Sequence, residues 1–78
     1  MREIEVKYYG KLTELLGRNE EKVKTTAQTI GDFSQFLREY HPVLVNITLK
    51  IAQNNTIETA DSVLSNAKVD VFPPFSGG

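Results

Sequence analysis

Only one segment of this 78-residue chain carries the apolar periodicity of a substantial helix, and that limits the folds open to it more than any other feature. From Ile30 to Tyr40, residues Ile30, Phe33, Leu37 and Tyr40 recur at three- and four-residue spacing and so share one face, which Phe36 widens. Thr29 stands where an N-cap is needed, and Asp32 in the first turn complements the positive end of the helix dipole. Pro42 cannot continue a helix and disfavours helical dihedrals at His41, so the helix ends there. His41 is then read as a solvated residue of the last turn, because nothing near it in sequence could complete a ligand set.

The remaining apolar residues mostly follow a two-residue period. Ile4, Val6 and Tyr8 alternate with Glu3, Glu5, Lys7 and Tyr9, the pattern of a half-buried strand. After Gly10, the spacing of Leu12, Leu15 and Leu16 predicts a short helix, and Gly17 stands where a left-handed cap would sit. Glu20–Thr25 has only Val23 as an apolar anchor and reads as an edge strand. Ile47, Leu49 and Ile51 alternate with Thr48 and Lys50 in a further strand, and Asn54-Asn55 supplies residues that tolerate positive φ in a tight reversal. Thr56 to Glu58 can return as a very short strand. Thr59 to Lys68 reads as a loop pinned to the core by Val63 and Leu64, and Val69 and Val71 alternate with Asp70 and Phe72 in a last strand.

Strands flanking one main helix imply an α+β architecture: a mixed sheet covered on one face by that helix together with the short one. This is the ubiquitin-like β-grasp arrangement, and it leaves the other face of the sheet available. Residues 1–72 are expected to form the domain, and 73–78 an extended, flexible C-terminal tail. With 40% hydrophobic residues, the core of so short a chain takes most of the apolar side chains and leaves few to line a deep pocket.

Several functions are disfavoured by composition. A net charge of −1 with mixed signs gives no basic stripe for nucleic acid. No apolar run approaches the ~20 residues of a membrane span, and the charged start, Met1-Arg2-Glu3-Ile4-Glu5, is unlike a secretory signal, so a cytoplasmic protein is expected. The sequence has no cysteine, which excludes thiol chemistry on this chain, and its single histidine excludes a self-contained multi-histidine metal site. No catalytic residue is therefore expected here, and no metal or cofactor.

The distinctive segment is the last one. Pro73 and Pro74 have no amide hydrogen to extend a ladder, and they favour an extended, stiff course away from the domain. Phe75-Ser76-Gly77-Gly78 then combines an aromatic that can anchor in a partner's pocket with two residues lacking a Cβ, suited to threading a narrow channel. A terminal carboxylate is a poor electrophile and would need activation, for example as an acyl-adenylate. The product could accept sulfur or be attacked by an amine.

Phe72-Pro73-Pro74-Phe75-Ser76-Gly77-Gly78 resembles the ending of molybdopterin synthase small subunits, which are ubiquitin-like sulfur carriers. The first strand ending at Tyr8-Tyr9, the Leu12–Gly17 segment, the Thr29–Tyr40 helix and the Asn54-Asn55 turn also fall where that family has matching elements. The resemblance implies that a ubiquitin-activating-like adenylyltransferase uses ATP to activate Gly78, and that a sulfur donor system converts it to a thiocarboxylate. The large synthase subunit, in a heterotetramer, would then use the sulfur to build the molybdenum cofactor. By position, Phe72 and Tyr9 would dock partners on the exposed sheet face, with Ile57 as a further contact, while Phe75, Ser76 and Gly77 enter their active sites. Packing within the sheet is the alternative for Phe72 and Tyr9.

Two departures from the family pattern stand out. Asn66-Ala67-Lys68 replaces a common Gly-Asp turn, with Asn66 expected to supply the left-handed residue, and Phe75 is larger than usual. Competing readings are a sulfur carrier for thiamine or another thio-metabolite, a protein modifier joined through Gly78 to lysines, and an interaction domain with an inert tail.

Overall fold

The computed structural model describes residues 1–74, so the expectations for Phe75, Ser76, Gly77 and Gly78 lie outside the described residues. In chain order the elements are β1 (Arg2–Tyr8), α1 (Lys11–Leu16), β2 (Glu20–Thr25) and α2 (Ile30–Tyr40), then β3 (Lys50–Gln53), β4 (Thr56–Ile57) and β5 (Lys68–Phe72). The strands form one mixed sheet in the order β2-β1-β5-β3-β4, with β1 and β5 parallel and the other neighbours antiparallel. The architecture is the α+β ubiquitin-like β-grasp.

Alternation along the strands separates the two faces. Ile4, Val6, Tyr8, Val23, Ile51, Val69 and Val71 are buried in one cluster with Ile30, Phe33 and Leu37 of α2. Leu12, Leu44 and Leu64 close the same core. The first turn of α2 is fully satisfied: the Thr29 side chain accepts from Asp32 N at 3.1 Å, and Thr29 O accepts from Phe33 N at 2.9 Å. Ile30 N and Gly31 N donate to Ser62 O and Ala60 O at 2.9 and 2.8 Å, so the 59–64 segment caps the helix as well as covering it. Gly17 takes the expected left-handed cap conformation, and Asn54 and Asn55, both at positive φ, make the β3–β4 reversal.

Five expectations are corrected. Tyr40 is half exposed and not on the buried stripe: it lies where α2 leaves the sheet, and stacks on Phe36 at 5.5 Å. The strand expected to include Ile47 and Leu49 begins only at Lys50, because a turn of 3-10 helix, Pro42–Leu44, delays re-entry to the sheet. Ile47 and Leu49 instead pack against the core from irregular backbone. Leu64 pins the long loop, but Val63 faces outward at 67% exposure while its backbone bridges Thr29. Asn66 is not left-handed: its Oδ1 accepts from Lys68 N at 3.0 Å, and its Nδ2 donates to Asn54 Oδ1.

His41 is the fifth. Its Nε2 lies 2.6 Å from Glu21 Oε2, its side chain is only 18% exposed, and the same carboxylate oxygen accepts from Tyr8 Oη at 2.5 Å. Glu21 Oε1 accepts from Arg18 at 2.9 Å. The network joins β1, β2 and the end of α2, contacts between segments far apart in sequence.

Candidate functional site

The face of the sheet away from α2 is assembled by strand register. Glu3, Glu5 and Lys7 of β1 lie opposite Lys24, Lys22 and Glu20 of β2, so charges of opposite sign face each other at all three positions. On the other side of β1, Glu5 and Lys7 lie opposite Lys68 and Asp70 of β5. This half of the face is a charge-alternating surface with Glu5 and Lys68 paired at 3.7 Å.

Toward the exit of β5 the surface changes character. Tyr9 follows β1, held in line by its N–H on Val71 O at 3.1 Å, and it thus falls beside Phe72. The two rings stack with centroids 4.6 Å apart and planes 17° from parallel. The Tyr9 hydroxyl donates to Asp70 Oδ1 at 2.9 Å, and Lys7 Nζ lies 5.7 Å from the Tyr9 centroid. That hydrogen bond, with burial and the Asp70 charge behind it, raises the Tyr9 phenol above the ordinary tyrosine value. Both rings are partly exposed, neither buried in the core nor free in solvent.

Ile57 is on the same face but not in the same cluster. It pairs across β4–β3 with Ala52, which in turn lies opposite Asp70, so a row runs Ile57, Ala52, Asp70, Lys7. Ile57 is half exposed, whereas Ala52 is nearly buried. Of the three expected docking residues, the fold therefore brings Tyr9 and Phe72 into contact and leaves Ile57 at the far edge.

The tail leaves the domain beside this pair. Gly10 has φ 59° and ψ −136°, a region side-chain-bearing residues avoid, and a Cβ placed there would come 3.4 Å from Pro73 Cγ. A groove of about 570 Å³ lies next to it, lined by Leu12, Ile47, Pro73 and Pro74 with Lys11, Asn46 and Thr48 at its rim. Among the described residues no cluster of three His, Asp or Glu side chains could hold a metal ion, and no helix is long and apolar enough to cross a membrane.

Sequence reasoning missed Asp70 and Gln53. Asp70 read as the polar residue between two valines, and nothing local ties it to Tyr9, since their contact depends on the parallel β1–β5 pairing. Gln53, 5% exposed, donates to Val63 O and Glu58 Oε2 and accepts from Ser65 N and Asn66 N, holding the loop that caps α2. A polar residue ending an alternating strand, just before a turn, was the one local signal for it.

A model of the ThiS family matches residues 6–78. No curated protein sequence matches the chain significantly. SAMP1 from Haloferax volcanii superposes with a TM-score of 0.79, covering 99% of this chain and 100% of its own at 22% identity. A Pyrococcus furiosus protein described as molybdopterin converting factor, subunit 1, gives 0.80 over 96% of this chain and 100% of its own, also at 22%. Haloferax volcanii small archaeal modifier protein 1 gives 0.77 at 20% identity, covering 96% and 100%. At these identities the likeness is one of fold.

Proposed function

Because the chain belongs to the ThiS family, we propose that it is a non-catalytic, cytoplasmic sulfur carrier of molybdenum-cofactor synthesis whose working group is the carboxyl of Gly78. The observation that carries this reading is the junction at Phe72: the stacked Tyr9–Phe72 pair sits on the uncovered sheet face at the point where Pro73-Pro74 begins the segment leading to Gly77-Gly78. A partner gripping that pair has the start of the tail, Pro73-Pro74, directly beside its grip.

In the proposed cycle an adenylyltransferase docks on the outer face, and the Gly78 carboxylate attacks the α-phosphorus of ATP with loss of pyrophosphate. Sulfide-level sulfur from a donor system, HS− or its equivalent, attacks the acyl carbon and displaces AMP, which leaves a thiocarboxylate with no change of oxidation state. The carrier then docks the large synthase subunit, where the thiocarboxylate sulfur bonds to the cofactor precursor and water cleaves the acyl C–S bond, which leaves the sulfur for the dithiolene and returns Gly78 to a carboxylate. The chain contributes a docking face, a stiff spacer at Pro73-Pro74 and a carbonyl without flanking side chains, so ATP and catalytic residues belong to the partners. Phe75, Ser76 and Gly77 enter the partner's channel in this scheme, and Ile57 extends the docking face.

Intact mass spectrometry of the protein from its native cells tests this directly. The expected result is a species in which one terminal oxygen is replaced by sulfur, together with loss of molybdenum cofactor when Gly77-Gly78 is deleted. Isopeptide-linked adducts without a thiocarboxylate would establish the modifier reading instead. A thiocarboxylate with intact molybdenum cofactor after the deletion would move the carrier to thiamine or another thio-metabolite.

A further inference from the structure

By register alone, Asp70 should pair with Lys7, its direct neighbour across β1–β5. The structure shows a different arrangement. Lys7 Nζ sits toward the Tyr9 ring, 5.7 Å from its centroid, and Asp70 Oδ1 accepts the Tyr9 hydroxyl at 2.9 Å. Tyr9 is therefore held at its backbone by Val71 O, at its ring by Phe72 and at its hydroxyl by Asp70. The phenol reaches back along β5 to Asp70, the residue two before Phe72.

We propose that Asp70 is a positioning residue for docking of the ATP-using activating partner: by accepting the Tyr9 hydroxyl it holds the Tyr9 ring flat on Phe72 and presents a preformed two-ring platform. This rests on the reading of the outer face as the docking surface. The physical gain lies in side-chain entropy. A partly exposed tyrosine free to change χ1 must be ordered when a partner covers it, whereas one anchored at both ends has already lost that freedom during folding. Asp70 touches no reacting atom and acts only through Tyr9.

The test uses the full chain with Asp70→Ala, Tyr9→Phe, the double variant and Phe72→Ala. Each is incubated with ATP, a sulfide donor and extract of the native cells, and thiocarboxylate formation is followed by intact mass at several carrier concentrations. Asp70→Ala and Tyr9→Phe should each raise the half-saturating concentration about three- to tenfold without changing the maximal rate, roughly one hydrogen bond's contribution. The double variant should be no worse than either single one, because both remove the same contact. Alkaline titration by tyrosine absorbance should show one phenol ionising at lower pH in Asp70→Ala than in the parent, which verifies that the Tyr9 hydroxyl has been released; the rise in half-saturating concentration at an unchanged maximal rate is the readout that a merely structural aspartate would not give.

If Asp70→Ala loads like the parent while Phe72→Ala is impaired, the positioning role is wrong and the docking reading stands. If Phe72→Ala also loads normally, or the parent is never loaded, the docking or carrier reading fails and the positioning role falls with it. Additive losses in the double variant would likewise overturn the proposal, since Asp70 would then be acting without Tyr9.

Discussion

Val71 and Phe72 are consecutive in β5 and lie on opposite faces of the sheet: Val71 is wholly buried under α2, and Phe72 is partly exposed against Tyr9. The inner face is apolar and closed by a helix, while the outer face is charged over β1–β2 and aromatic where the tail leaves. A period of two lets one set of strands carry both, so changes on the two faces should have separable effects. The strongest contrast is between two phenylalanines. Phe33→Ala should cost about 3–5 kcal/mol, because a fully buried ring leaves a cavity. Phe72→Ala should cost about 1 kcal/mol, near the value of a lost stacked pair. Urea denaturation followed by circular dichroism measures both, and similar losses would mean that the faces do not divide the work.

Glu21 tests the boundary between the faces. It is on β2, opposite Val6, with a side chain only 6% exposed. Burial works against its charge, but hydrogen bonds from Tyr8 and His41, then the charges of His41 and Arg18, outweigh it and hold the carboxyl below the usual range. Its counterpart Tyr8 is pushed above the ordinary phenol range by burial and by that carboxylate. Glu21→Ala should cost about 2–3 kcal/mol, since it leaves Tyr8 Oη and His41 Nε2 without their acceptor. A carboxyl depressed on folding stabilises fully above its unfolded value of about 4.3, and the contribution drains away as pH falls through the lower folded value. Urea midpoints measured from pH 7 down to 3 should show that loss in the parent, and Glu21→Gln should flatten it.

The Glu21 network also marks where sequence reading stops. Strands β1, β2 and β5, α2 with its Thr29 cap, and the Asn54-Asn55 turn were readable because each is written in local periodicity or in one residue's backbone preference. Tyr9 and Phe72 were readable as outward positions, since each stands opposite the buried set of its strand. What they touch was not, because Tyr9–Asp70 spans 61 positions and exists only once β1 and β5 lie parallel. His41 was misread for the same reason: Glu21 is 20 residues away and reaches it only through the packing of α2 on β2. Val63 and Leu64 could not be told apart, because an irregular loop has no period to say which side chain turns inward.

A smaller effect is expected where the two regions meet, at Gly10. Alanine there must adopt a positive φ with ψ near −136° and place its Cβ against Pro73, at a cost of about 1–3 kcal/mol. The same change at Gly17, where a Cβ meets nothing within 4 Å, should cost less, because left-handed strain acts alone. Thermal melts of the two variants compare them. Equal shifts would mean that the contact with Pro73 contributes little to fixing the start of the tail.

The smallest effect on stability belongs to Ile57, and it decides how far the outer face extends as one surface. At 50% exposure on a two-residue edge strand, Ile57→Ser should change stability by less than about 0.5 kcal/mol. Between Ile57 and the aromatic pair stand Ala52, small and nearly buried, and Asp70, whose carboxylate is taken by Tyr9. Neither rises as a barrier, so one partner can cover both ends of the row within a standard interface of about 800 Å² per side. A residue at the rim of such an interface contributes modestly, and Ile57→Ser should raise the half-saturating concentration for thiocarboxylate loading about two- to threefold while melting is unchanged. A tenfold or larger loss would move the centre of the docking face from β1–β5 toward β3–β4. No change at all would confine it to the two rings beside the tail.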